Sequence, residues 1–176
     1  CYTPCGNKTA YMQYLYKEIE LMIDAGAPGI LIDEFDTQLH ALNNGGCFCK
    51  DCMLGFRNWL KEHPCKESEG LDLDTFDYGE YLRGLGYKDE DLCSSQGERR
   101  VSIPLFREFS NYQIHGSECN VRDISVYAKA YAKRTKNIEN YPVTANLFNC
   151  MPVGASSRKW CDLICGETSD VKLRQD

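Results

Sequence analysis

The chain has 176 residues, a length typical of one domain. Because 43% of its residues are hydrophobic and 26% are charged, it has the composition of a globular protein rather than of a disordered or fibrous one. The net charge is −6, and the sequence contains neither a basic stripe nor an apolar run of about 20 residues. These properties argue against nucleic acids and membranes as its main partners.

The chain contains eleven cysteines, an odd number that excludes complete pairing in internal disulfides. They are scattered along the sequence, except for a tight group formed by Cys47, Cys49 and Cys52. So many unpaired thiols slightly favour the cytoplasm over an exported protein, although the sequence leaves the compartment unknown.

The first predicted element is a helix, because apolar residues recur at three- and four-residue steps across Met12–Ile23. Gly26 and Pro28 are expected to end it. A continuous apolar segment follows and leads into the carboxylates Asp33 and Glu34. Such a segment predicts a strand that is buried on both faces, as in a parallel sheet.

A second helix is predicted from the apolar positions that begin at Cys52, and Pro64 ends it. Residues 65–100 are rich in acidic side chains and predict an excursion or insertion with one short helix near 75–84. A calcium site at Asp72–Asp77 is not expected, because the glycine and the terminal glutamate of an EF-hand loop are absent.

A long helical region is predicted to begin at Ser102, and a dip in apolarity at Gly116 and Asn120 predicts a break into two helices. Two strands are then predicted at residues 142–148 and 161–167. Helices that alternate with strands indicate an α/β fold with parallel strands and right-handed crossovers.

Three strands cannot close a barrel, and a complete eight-stranded barrel needs about 250 residues. We therefore expect a partial (β/α)₈ TIM barrel, about strands four to six with their helices, in a single domain over residues 1–176. The domain is expected to be incomplete at both ends, so that further barrel segments or an oligomer partner would complete it.

The clustered cysteines have the spacing C-x-C-x-x-C, which favours a metal site. Zinc prefers four nitrogen or sulfur ligands in a tetrahedron, so a fourth ligand must come from elsewhere, with Cys5 and Cys1 as candidates. Four cysteines would form a closed, structural site rather than a catalytic one. Free thiols at a helix start, a disulfide and an iron–sulfur cluster are the alternative interpretations.

Several of these segments together resemble one enzyme family. In chain order they are Cys5-Gly-Asn-Lys-Thr-Ala-Tyr11, Ile30-Leu-Ile-Asp-Glu34, Cys47-Phe-Cys-Lys-Asp-Cys52 and Phe56-Arg-Asn-Trp-Leu60. The arrangement is similar to the zinc-carrying β-galactosidases of glycoside hydrolase family forty-two. The resemblance covers mainly residues 5–63, and it continues weakly at residues 142–146 and 162–167.

This resemblance implies a retaining, β-galactosidase-like hydrolase that acts on a glycan or oligosaccharide. Glu34 would be its general acid/base, at the end of the fourth strand. A retaining glycosidase also needs a carboxylate nucleophile about 5 Å away, which the resemblance places on a seventh strand outside this chain. The structural zinc would be bound by four cysteines, namely Cys5, Cys47, Cys49 and Cys52.

The predicted substrate-binding residues lie at the carboxyl ends of the strands or in the loop that follows the first strand. They are Asp33, His40, Asn146 and Glu167. The family has asparagine where this chain has Asp33, a difference that changes hydrogen bonding and could alter the substrate. A non-catalytic, zinc-stapled carbohydrate-binding or scaffold domain of the same fold is therefore the alternative function. A plain zinc-binding interaction module is a third interpretation, in which Glu34 has no role.

Overall fold

The computed structural model describes residues 5–33, 37–146 and 157–165. The α-helices are α1 (Thr9–Asp24), α2 (Thr37–Asn43), α3 (Lys50–Glu62), α4 (Tyr78–Gly84) and α5 (Phe106–Lys136). The strands are β1 (Ile30–Asp33), β2 (Val143–Asn146) and β3 (Leu163–Cys165). Short 3₁₀ helices lie at Lys66–Ser68, Asp89–Leu92, Ser94–Ser102 and Arg158–Trp160. None of the described helices is both long and apolar enough to span a bilayer.

The chain divides into two compact units. Unit 1 comprises Cys1–Met12 and Asp36–Ser117, and unit 2 comprises Gln13–Phe35 and Glu118–Asp176. The division between the units falls within α1 and within α5, so each of these helices contributes residues to both units.

The core of unit 1 is a cluster of aromatic rings contributed by α3, α4 and the first part of α5. The ring of Phe56 lies 5.0 Å from that of Phe109 and 5.2 Å from that of Tyr78. Tyr78 is fully buried and donates a hydrogen bond from its hydroxyl to the carbonyl of Pro104 at 2.7 Å. Tyr78 belongs to the acidic segment 65–100, so this segment contributes to the core as well as to the surface.

The core of unit 2 is built on a three-stranded parallel sheet of order β1-β2-β3. Ile30 pairs with Val143 and Asp33 pairs with Asn146, so the carboxyl ends of β1 and β2 are in register. Side chains alternate along β1, with Ile30 and Ile32 buried and the two residues between and after them exposed. This alternation differs from the predicted burial on both faces.

The prediction of a partial TIM barrel is wrong. The described residues are predominantly helical, and they contain one small sheet in which all three residues of β3 are exposed. The positions and the parallel pairing of the three strands agree with the sequence prediction. Alternation of strands and helices predicted the three strands and their parallel pairing, but it does not show whether the sheet belongs to a barrel, and here a long helical segment separates β1 from β2.

The predicted helices are largely confirmed, with three differences. Helix α5 begins at Phe106 rather than at Ser102, which is the last residue of a 3₁₀ helix. Helix α2 was not predicted, and α5 runs for 31 residues without the break expected at Gly116 and Asn120. Asn120 is buried, and a Cβ at Gly116 would lie 3.0 Å from Oδ1 of Asn7. The polarity of Asn120 and the small size of Gly116 suggested a helix end. In the structure both residues instead lie within a continuous helix and pack against close neighbours.

Candidate functional site

Four cysteine side chains converge in unit 1. The sulfur atoms of Cys5, Cys47, Cys49 and Cys52 all lie within 4.8 Å of one another. The sulfur of Cys5 is 3.4 Å from that of Cys52 and 3.7 Å from that of Cys49. A tetrahedral site with zinc–sulfur bonds of about 2.3 Å has sulfur–sulfur edges of about 3.8 Å. The cluster therefore has the size and the ligand type to hold one metal ion.

The local structure explains why these side chains meet. Cys5 begins the turn that leads into α1, where the amide of Lys8 donates to the carbonyl of Cys5 at 3.1 Å. Cys49 is the N-cap residue of α3, and Cys52 follows three positions later on the same side of the helix. The first turn of a helix carries a partial positive charge, which favours thiolates at this place.

Three of these thiols, those of Cys5, Cys47 and Cys52, differ in how readily they lose a proton. Hydrogen bonds from Cys5 and Cys52 hold the pKa of Cys47 well below its usual range. Hydrogen bonds with Cys47 and with Cys5, together with burial, raise the pKa of Cys52, and the hydrogen bond with Cys47 raises the pKa of Cys5. A metal that binds all four sulfurs must displace the remaining protons, so metal binding is expected to strengthen as the pH rises.

A second polar group lies at the carboxyl ends of β1 and β2 in unit 2. Nδ2 of Asn146 donates a hydrogen bond to Oδ1 of Asp33 at 2.9 Å. Asn146 is buried, whereas Asp33 is exposed to solvent. On the neighbouring strand β3, Cys165 pairs with Asn146, and Cys165 is exposed. The strand ends thus offer a carboxylate and an amide side by side.

The other predicted site residues are not part of this pair. His40 lies on α2 in unit 1 and is exposed, and its backbone carbonyl accepts a hydrogen bond from Nδ2 of Asn44 at 2.8 Å. Glu34, the predicted acid/base, and Glu167 lie outside the described residues. The roles of all these residues in catalysis and substrate binding stay predictions.

One polar contact of the cysteine cluster was not predicted from the sequence. Nδ2 of Asn7 donates to the sulfur of Cys52 at 3.3 Å. Asn7 lies two residues after Cys5, and this position could have indicated the contact. A turn that presents one metal ligand also brings the neighbouring residues close to the metal site.

Comparison with known proteins found two distant relatives. They are the alpha-agarases of Alteromonas agarilytica and Thalassotalea agarivorans, which are 26% and 25% identical to this chain over 114 residues. Each alignment covers 59% of this chain but 8% of the relative, so the chain spans less than a tenth of the proteins that it matches. No protein-family model and no solved structure matches the chain. The similarity is thus partial, and it is to carbohydrate-active proteins rather than to family forty-two in particular.

Proposed function

We propose that this chain is part of a glycoside hydrolase that cleaves a glycan or oligosaccharide, with Glu34 as the general acid/base. The observation that carries this proposal is the similarity to two proteins named alpha-agarase. The polar pair of Asp33 and Asn146 supports it, because the carboxyl ends of parallel strands are where α/β enzymes bind substrates.

The chemistry assigns a role to each residue. In the sequence, Glu34 directly follows Asp33, which is the last residue of β1. Its carboxyl group would protonate the leaving oxygen and then activate water, while a second carboxylate about 5 Å away acts as the nucleophile. The carboxylate of Asp33 and the amide of Asn146 would bind sugar hydroxyls, with His40 and Glu167 as further substrate contacts.

The four-cysteine cluster would hold a structural zinc ion. Zinc accepts four thiolates in a closed tetrahedron that leaves no position for water or substrate, so its contribution is folding energy rather than catalysis. Soft sulfur ligands favour zinc over magnesium, calcium or manganese, which prefer oxygen. The ion would fix the turn before α1 to the start of α3.

The test is turnover by the whole protein that contains this chain. Agarose is the first substrate because of the alpha-agarase relatives, and aryl β-galactosides are the second because of the resemblance to β-galactosidases. We expect new reducing ends from one of them, and Glu34→Gln should lower the rate by about 10²–10⁴-fold. The control is Glu18→Gln, which changes an exposed glutamate of α1 and should leave the rate unchanged.

Glycan binding without any turnover by the wild-type protein would contradict the proposal. That result would favour the alternative of a non-catalytic, zinc-stapled carbohydrate-binding module. An equal loss of activity in Glu34→Gln and Glu18→Gln would also contradict it, because the loss would then come from stability.

A further inference from the structure

A chain of hydrogen bonds extends from the cysteine cluster into the core of unit 1. Nδ2 of Asn7 donates to the sulfur of Cys52 at 3.3 Å and to the hydroxyl of Tyr112 at 3.1 Å. Oδ1 of Asn7 accepts from Nε2 of Gln38 at 3.0 Å. Oε1 of Gln38 accepts in turn from the hydroxyl of Ser117 at 3.2 Å. The side chains of Ser117, Gln38 and Asn7 therefore each donate a hydrogen bond to the next member of the series, which ends at the sulfur of Cys52.

The direction of these hydrogen bonds matters for a metal-bound sulfur. A thiolate can only accept hydrogen bonds, so the amide nitrogen of Asn7 suits it and the amide oxygen does not. Gln38 fixes which end of the Asn7 amide faces Cys52, because it donates to Oδ1. Ser117 fixes the Gln38 amide in the same way.

The inner part of the network is buried, and the core is shaped around it. Gln38 is 1% exposed and Ser117 is 0% exposed, although buried polar side chains are unfavourable unless their hydrogen bonds are made. Two glycines inside helices leave room for it. A Cβ at Gly55 of α3 would lie 2.2 Å from the hydroxyl of Tyr112, and one at Gly116 of α5 would lie 3.0 Å from Oδ1 of Asn7.

We propose that Asn7 is a positioning residue of the metal centre, which Gln38 and Ser117 orient so that its amide donates to the sulfur of Cys52. The network would strengthen zinc binding and slow zinc release without ligating the ion, since hydrogen bonds from outside the ligand shell orient and stabilise metal ligands. This inference depends on the zinc centre proposed above and not on the glycosidase activity.

The test is the zinc affinity of the whole chain, measured by competition with a chromophoric chelator. Asn7→Ala should lower the affinity by about 10–100-fold, the usual effect of removing such a partner. Gln38→Glu keeps the size of the side chain but removes the amide donor, so it should lower the affinity in the same direction. The matched control is Asn58→Ala on the exposed face of α3, which should leave the affinity unchanged.

A spectroscopic measurement separates this role from packing. With Co²⁺ in place of zinc, Asn7→Ala should shift the sulfur-to-cobalt charge-transfer band to longer wavelength, because a sulfur without its hydrogen bond gives up electron density more easily. Unchanged affinity and an unchanged band in Asn7→Ala and Gln38→Glu would overturn the inference and leave the zinc centre standing. A wild-type chain that takes up no zinc would overturn the zinc centre and the inference with it.

Discussion

The sulfur atom of Cys5 lies 3.4 Å from that of Cys52, although the two residues are 47 positions apart in the chain. A metal ion bound between them would close this loop and would restrict the unfolded chain, as any crosslink does. The ion would thereby stabilise unit 1, where the turn before α1 meets the start of α3.

Cys49→Ser should remove the metal and lower the stability of the protein. We expect about one zinc per wild-type chain and much less in the variant, because structural sites need all four ligands. The melting temperature should fall, since the binding free energy contributes to folding. Metal content by mass spectrometry and a thermal scan measure both effects.

The matched control for this experiment is Cys165→Ser, which changes an exposed cysteine in unit 2 and should keep both the zinc and the melting temperature. A zinc-free wild-type protein that melts like Cys49→Ser would contradict the metal centre. A disulfide between Cys47 and Cys52 in the isolated protein would contradict it as well.

Gly55→Ala should destabilise unit 1, although alanine is the better helix former. The added Cβ would lie 2.2 Å from the hydroxyl of Tyr112, so the ring and its partner Asn7 must move. Overpacking of this kind lowers the free energy of unfolding by about 1–3 kcal/mol. Urea unfolding of the metal-loaded protein measures the change.

Gly84→Ala is the control, because nothing lies within 4 Å of a Cβ at this end of α4. It should be neutral or should raise the stability by up to about 1 kcal/mol, as the helix propensity of alanine predicts. Equal effects of Gly55→Ala and Gly84→Ala would show that the space around Tyr112 does not constrain residue 55.

Asp162→Asn should weaken unit 2 and reduce its sensitivity to acid. The carboxylate of Asp162 accepts from the amide of Val143 and from Lys129, both at 2.9 Å, and so joins β2, α5 and the start of β3. These contacts lower the pKa of Asp162, with the amide of Val143 as the main cause.

A lowered pKa in the folded state means that the contribution to stability is present above the ordinary pKa and is lost as the pH falls through the folded value. Because the side chain is partly exposed, we expect a loss of about 1 kcal/mol near neutral pH. The difference in free energy of unfolding between wild type and Asp162→Asn should therefore shrink on acidification. A difference that is constant from neutral to acidic pH would refute the role of the charge.

Local patterns predicted the individual elements well. The apolar spacing across Met12–Ile23 and the continuous run before Asp33 gave α1 and β1, because both patterns follow from local backbone geometry. The three strands also lie where local patterns predicted them, but whether a sheet curves into a barrel depends on contacts across the whole chain, so the expectation of a partial barrel was wrong. Helix α2 was missed because its seven residues are too few for a clear apolar period.

The metal-ligating set illustrates the same division between local and distant information. Cys47, Cys49 and Cys52 form a spacing that is visible in the sequence, whereas Cys5 and Cys1 were both candidates for the fourth ligand and the family resemblance selected Cys5. The hydrogen bond from Ser117 to Gln38 joins residues 79 positions apart, and no local pattern carries such a contact. Outer contacts of a site therefore need the fold, whereas ligands that are clustered in the sequence can be inferred from spacing.

Glu34 is proposed as the proton donor of a glycosidase, and a comparison of two leaving groups tests this role most directly. For Glu34→Gln in the full-length protein, the first-turnover release of a weakly acidic alcohol from an alkyl glycoside should fall by about 10²–10⁴-fold. Release of a strongly acidic phenol from an aryl glycoside should fall far less, because that bond breaks without protonation of the leaving oxygen. Equal slowing of both substrates would contradict the assignment of Glu34 as the acid.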